Sequence, residues 1–121
     1  MTTLAEARAE LVAALEAADI AATDTPGARD VPYVLVSGDG IDAAHIVRGQ
    51  AVATFRALCI AGAWDGHAVV DELDSLKLAT LTVVRELEAW RFGSVGRDGI
   101  RTFGGSELLT ADVSASRMID I

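Results

Sequence analysis

The last sixteen residues, 106–121, read SELLTADVSASRMIDI and decide much of the fold. Apolar and polar residues alternate along this stretch, with Leu109 and Val113 on one side and Asp112 on the other. Side chains of a β-strand point alternately to its two faces, so the pattern predicts a strand with one buried and one wet face. The Gly104-Gly105 pair predicts the turn before it. No side chain of a type used in catalysis lies on the apolar side. The strand is therefore expected to serve packing and assembly.

The length and composition predict one domain, residues 1–121, without a membrane-spanning segment. A chain of 121 residues can bury a real core, and no apolar run approaches the ~20 residues that a membrane helix needs. The net charge of −8 disfavours nucleic acid as a bound ligand, because binding phosphates requires clustered Lys and Arg. Cys59 is the only cysteine, which excludes an internal disulfide and fits a reducing, intracellular compartment. The first residues lack the basic segment and cleavage site of a signal peptide.

The element order predicts an α+β fold: an antiparallel sheet of about four strands with two helices packed on one face. Thr3 and Glu6 have the spacing of a capping box at the start of the first helix. Asp98-Gly99 predicts a hairpin turn, and the Ser-Gly-Asp-Gly run from Ser37 is expected to break a strand. The predicted elements are helices at 3–18 and 66–88 and strands at 33–36, 51–61, 90–96 and 106–121, with a short segment at 100–103.

Residues 38–50 form the least periodic part of the chain and predict a long loop. Its glycines favour flexibility, yet it also contains Ile41, Ile46 and Val47. A fully solvated loop has little use for three aliphatic side chains, whereas a loop that orders against a partner buries them. The loop is therefore a candidate partner-binding segment. The alternative is that these side chains fold back onto the core of the domain.

Arg56 interrupts a strand that is otherwise largely apolar on both faces. A charge at such a position needs a partner, and Asp112 on the polar face of the last strand is the candidate. Alternatively, Arg56 reaches a neighbouring subunit. The candidate interface residues from the loop and this pair are Asp39, Ile41, Asp42, His45, Ile46, Val47, Arg48, Arg56 and Asp112.

The candidates for chemistry are weak, and we predict no catalytic residue, no metal site and no cofactor. His67 and Asp71 lie four apart on the second predicted helix, but a catalytic zinc needs a third protein ligand. Asp71, Glu72 and Asp74 complement a helix N-terminus, and Cys59 lies on an apolar strand face where a thiol is unreactive. The Ser-Gly-Asp-Gly run lacks the Lys of a phosphate-binding loop.

In size, order of elements and general residue pattern, nearly the whole chain resembles the tail terminator proteins of long-tailed bacteriophages. The resembling parts are the N-terminal helix, the strand VPYVLV at 31–36, the loop, the strand at 51–61, the second helix, Trp90, and GGSELLTADV at 104–113. The resemblance implies a structural virion protein of the tail and neck, made in the host cytoplasm and without catalytic residues. The alternatives are another neck or head-completion connector and, with less support, a small non-viral adaptor or a metal-dependent enzyme.

The resemblance also implies the partners. Such a protein forms a ring, typically of six copies, that caps the tail tube, ends its polymerisation and joins the tail to the head. The partners are then other copies of this chain, the tail tube protein and a neck or head-completion protein. DNA would pass through the ring without specific binding, and an acidic wall would repel its phosphates.

Overall fold

The computed structural model describes residues 2–27, 30–42, 48–63, 66–103 and 105–121. It confirms the α+β class, but the sheet has six strands rather than about four. The elements in chain order are α1 (Leu4–Ala17), β1 (Ala22–Thr23), β2 (Tyr33–Asp42), β3 (Gln50–Ala63), α2 (His67–Glu86), β4 (Trp90–Val95), β5 (Gly99–Phe103) and β6 (Ser106–Asp120).

The sheet is antiparallel except at one edge. Its strand order is β1-β2-β3-β6-β4, β5 also pairs with β6, and the two-residue β1 runs parallel to β2. The long central strands β3 and β6 therefore have neighbours on both sides, as the apolar faces of β3 predict. The predicted first strand and the final strand are present, the former longer than expected.

The predicted hairpin at Asp98-Gly99 is wrong. β4 and β5 do not pair with each other but follow one another along the same edge of β6. The link between them stays attached to β6, because the amide of Gly96 donates to the carbonyl oxygen of Asp112 at 2.7 Å. The turn predicted before β6 is present, and its Gly105 adopts a φ of +85° that favours glycine.

Both helices pack on one face of the sheet, as predicted. The capping box at the start of α1 is formed, since Thr3 Oγ1 accepts from the Glu6 amide and the Glu6 side chain accepts from the Thr3 amide. Burying each large apolar side chain of this layer contributes roughly 1.5–3 kcal/mol. The core side chains include Leu11 and Leu15 of α1, Leu73 and Val84 of α2, and Val34, Phe55 and Val113 of the sheet.

The opposite face of the sheet, here called the open face, is covered by neither helix. One end of it holds a second, smaller apolar cluster built on Tyr33, Leu58 and Ile60. Most other side chains on this face among the described residues are charged or carry a hydroxyl group, because the strands alternate as their sequences predict, but Val52 and Met118 form an apolar pair there. The open face is therefore the larger polar surface that the sheet presents to solvent or to a partner.

A terminal cluster ties both ends of the chain together; it comprises Thr2, Glu10, Trp90, Arg117 and Asp120. Thr2 and Asp120 exchange two hydrogen bonds, at 2.7 and 2.8 Å. Arg117 binds Glu10 at 2.7 Å and Thr2 Oγ1 at 3.3 Å, and its guanidinium lies 6.0 Å from the centre of the Trp90 ring system. The Trp90 indole N–H donates to the same Glu10 oxygen. These contacts fix α1 against the sheet.

The predicted loop at 38–50 has the wrong bounds. The Ser-Gly-Asp-Gly run does not break the strand, since β2 continues to Asp42 and β3 begins at Gln50. Gly38 and Gly40 both remain paired with β3. The register shifts between them, so Asp39 is the extra residue of a β-bulge. A bulge absorbs the irregular sequence without ending the strand, so the segment is the arm of a long hairpin.

Candidate functional site

The open face carries a network of four charged side chains near its middle, here called the open-face cluster: Asp39, Arg56, Arg101 and Asp112. Arg56 binds Asp39 at 3.0 Å and lies 3.7 Å from an oxygen of Asp112. Arg101 lies 3.4 Å from the same Asp112 oxygen. The predicted pairing of Arg56 with Asp112 is confirmed, but the shorter contact is to Asp39, which the bulge brings over Arg56.

The open-face cluster is solvated rather than buried. The Arg56 side chain is 41% exposed and the Arg101 side chain 47%. Exposed ion pairs contribute little to stability, so the network is not needed to hold the sheet together. Asp112 also has a second carboxylate oxygen, Oδ1, that is buried and accepts no hydrogen bond among the described residues. The cluster thus presents charged side chains on a surface that a partner can reach.

The candidate loop residues divide between the hairpin arm and the undescribed segment. Asp39, Ile41 and Asp42 belong to β2, and Arg48 is an exposed residue just before β3. Ile41 is 55% exposed, so it does not fold back into the core. His45, Ile46 and Val47 lie outside the described residues, and their predicted part in an interface stays a prediction.

The sheet also exposes large apolar side chains at the edge opposite β2, a feature that the sequence analysis missed. Phe92 and Val95 of β4 and Ile100 of β5 are 38%, 39% and 50% exposed. Their partners across the ladder are Ala115, Val113 and Leu109, all of which lie buried beneath the helices. The sequence shows that β4 and β5 contain these apolar residues, but it does not show that no described strand pairs with their outer side.

An open groove of about 310 Å³ lies beside this edge, between α2 and β4. Leu78, Leu81 and Val95 form its apolar lining. Lys77 at its rim is held by Asp98 at 2.7 Å and by Asp74 at 3.2 Å, and the hydrogen bond to Asp98 raises the pKa of Lys77 above its usual value. The rim charge is therefore internally paired, and the groove offers mainly apolar contacts.

The candidates for chemistry do not converge. His67, Asp71, Glu72 and Asp74 are exposed on α2, and no three His, Cys, Asp or Glu side chains in the described ranges are grouped to hold a metal ion. Cys59 is buried with its sulfur 3.6 Å from Thr80 Oγ1. Burial raises the pKa of the thiol to about 11, so it is protonated near neutral pH and is a poor nucleophile there.

The chain matches no protein-family model and no curated protein sequence. Neither helix of the described part is long and apolar enough to cross a membrane. Any functional assignment therefore rests on the surfaces that the fold exposes, which are the open face and the two outer edges of the sheet.

Proposed function

We propose that this chain is a structural virion protein, the tail terminator of a long-tailed bacteriophage. In this proposal, copies of the chain close into a ring, typically of six, on the end of the tail tube. The ring ends polymerisation of the tube and joins the tail to the neck or head. The protein resides in the virion, and its partners are its own copies, the tail tube protein and a neck or head-completion protein.

The observation that carries the proposal is the pair of unlike outer edges at the two ends of the sheet. In the described part of the chain, β1 pairs only with the start of β2, so nothing pairs with the outer side of residues 36–42. No strand pairs with the outer side of β4 or β5 either. Each of these edges exposes large aliphatic or aromatic side chains, Ile41 on one and Phe92 and Ile100 on the other.

Two unlike edges on one subunit favour a ring. When one surface of a subunit binds a different surface of the next, the contact is repeated by rotation and closes if the angle permits. Unpaired edges with apolar side chains otherwise invite uncontrolled aggregation, so a soluble protein that keeps them has a use for them. The net charge of −8 supports passage of DNA through such a ring, because acidic surfaces repel phosphate.

The proposal is tested by adding the purified protein to tail tube protein of the same virus while the tubes grow. We expect rings on the tube ends in electron micrographs and tubes that stop lengthening. Ile100→Asp places a charge at the exposed edge and should abolish capping. Leu4→Asp, at a similarly accessible position of α1, is the matched control and should cap normally. Rings that leave tube growth unchanged would indicate a neck or head-completion connector, and a protein that never binds tubes would contradict the proposal.

A further inference from the structure

The two outer edges of the sheet carry opposite charge. The outer edge of β2, residues 36–42, contains two acids and no basic residue and is called the acidic edge; the acids are Asp42 and Asp39, which stays 43% exposed while it binds Arg56. The edge formed by residues 90–103 contains three arginines and one acid, Asp98; it is called the basic edge. Asp98 is engaged by Lys77 at 2.7 Å. The arginines of the basic edge are Arg91, Arg97 and Arg101.

Two of these arginines have no internal partner. Neither Arg91 nor Arg97 forms an ion pair or side-chain hydrogen bond among the described residues, and both are exposed. Arg101 shares Asp112 with Arg56. The basic edge therefore presents cationic groups that the fold itself does not use.

Four of the charged side chains of the two edges lie on the same side of the sheet, the open face. Asp39 reaches Arg56 on that face, and Asp42 lies opposite Val52, an even number of residues from Arg56. Arg91 lies opposite Ser116 and Arg101 opposite Leu108. Ser116 and Leu108 are each four residues from Asp112 and so share its face, because side chains alternate along a strand.

The apolar side chains of both edges lie on the other side, toward the helices. Ile41 lies opposite Ala53, which is buried in the main core. Phe92, Val95 and Ile100 lie opposite buried residues of β6 that belong to the same core. If the two edges met, acids would face arginines on the open face and aliphatic side chains would face apolar ones on the helix side.

We propose that the acidic edge of one copy pairs with the basic edge of a second copy and continues the sheet across the contact. β2 and β6 run in the same direction, whereas β4 and β5 run opposite to them, so β2 of the second copy is antiparallel to β4 and β5. Neighbouring strands place cross-strand side chains about 4.5–5.5 Å apart, close enough for the charged and apolar pairs to form. The inference rests on the proposed ring and specifies which surfaces close it.

Intermolecular disulfides test this pairing directly. Ile41→Cys is combined in separate variants with Phe92→Cys, Val95→Cys or Ile100→Cys, and the proteins are oxidised mildly at high concentration. Within one chain, β3 and β6 separate these positions by three strand spacings, about 14 Å in all, which is too far for a disulfide. Cys59 is buried and does not compete.

We expect at least one of the three variants to form a ladder of covalently linked copies on a denaturing gel. The matched control combines Ile41→Cys with Ala13→Cys, an exposed position on α1, and should stay uncrosslinked. Absence of crosslinks in all three variants would overturn the edge pairing, whatever the oligomeric state. Rings that cap tubes without these crosslinks would leave the proposed function intact, and crosslinks without tube capping would contradict the function but support the pairing.

A charge-reversal variant provides a second test of the edge pairing. Arg91→Glu changes a side chain without an internal partner, so we expect it to weaken self-association about tenfold with an unchanged melting temperature. Arg85→Glu makes the same charge change on the exposed surface of α2 and should leave association within about twofold. Equal effects of the two variants on the dissociation constant would show that only net charge matters and would overturn the role of the basic edge.

Discussion

The terminal cluster and the open-face cluster use the same ion-pair chemistry in different surroundings. Arg117 in the terminal cluster keeps only 12% of its side chain exposed, whereas Arg56 in the open-face cluster keeps 41%. Arg117 binds its carboxylate at 2.7 Å beside an aromatic ring, and Arg56 binds Asp39 at 3.0 Å in contact with water. The difference indicates that the first cluster stabilises the fold and that the second is available to a partner.

The packing around Trp90 explains why the terminal cluster is expected to contribute strongly to the stability of the fold. The Trp90 ring lies 5.5 Å from the ring of Phe55, centre to centre, and is 5% exposed. Glu10 accepts hydrogen bonds from both the indole and Arg117. Partial burial strengthens such bonds and makes the loss of any one partner costly. Among the described residues, no aromatic ring lies over the arginines of the open-face cluster.

The largest expected effect comes from removing the aromatic centre of the terminal cluster. Trp90→Ala should lower the free energy of unfolding by about 3–5 kcal/mol, because it deletes a buried ring and leaves Glu10 and Arg117 without it. Denaturant unfolding measures the loss. Trp90→Phe, which keeps most of the packing but lacks the indole N–H, should lose clearly less. A loss below about 1 kcal/mol for Trp90→Ala would contradict the role given to this cluster.

Two matched double-mutant cycles compare the ion pairs themselves. We expect the larger coupling, about 1–2 kcal/mol, between Glu10 and Arg117, because the Arg117 side chain is only 12% exposed although Glu10 is 42% exposed. The coupling between Asp39 and Arg56 should be about 0.2–1 kcal/mol, as for exposed pairs. Each residue is replaced by Ala singly and together, and unfolding is followed by denaturant titration. Equal couplings would remove the distinction between the two clusters.

A smaller effect on stability is expected from Arg56 alone. Arg56→Ala should lower the free energy of unfolding by less than about 1 kcal/mol, because the side chain is exposed. It should nevertheless weaken self-association several-fold, because Arg56 positions Asp39 on the acidic edge. Light scattering across a dilution series measures association. A variant that loses stability but associates normally would assign the open-face cluster to the fold instead.

The smallest expected effect is a difference between the two clusters in their response to salt. Raising the ionic strength from about 0.1 M to 1 M shortens the screening length from about 10 Å to 3 Å. The contacts of the exposed open-face cluster and the charged edges should weaken, which lowers association. The effect of Arg117→Ala on the melting temperature should change little, because its partly buried contacts are screened less. Association that is unaffected by salt would argue against charge at the contact.

The sequence predicts the parts of this fold that depend on local pattern. The period of two in residues 106–121 predicts β6, and the apolar stripe containing Val69 and Leu73 predicts α2 against the sheet. A charge in a largely apolar strand must be paired, which predicts a partner for Arg56, and Asp112 is one of two acids on the polar face of the last strand. The two elements follow from their own sequences, whereas the pairing of Arg56 with Asp112 also depends on β3 and β6 being neighbours, which the structure shows.

The remaining features depend on contacts between distant parts of the chain. Glu10 and Arg117 are 107 positions apart, and nothing in either segment indicates the other. Asp98-Gly99 has the composition of a hairpin turn, yet both flanking strands pair with the 15-residue β6, one after the other along its edge. The exposed edge at Ile100 was missed because a sequence does not reveal which side of a strand lacks a neighbour.

The central claim is that unlike edges of this sheet join copies of the chain into a closed ring. Native mass spectrometry of the purified protein, with electron micrographs of the same sample, tests it most directly. We predict one dominant species with a fixed number of subunits, typically six, and a central opening. Ile100→Asp should reduce this species to monomers with the same secondary structure. A protein that stays monomeric at high concentration and forms no ring on tail tubes would contradict the proposed ring.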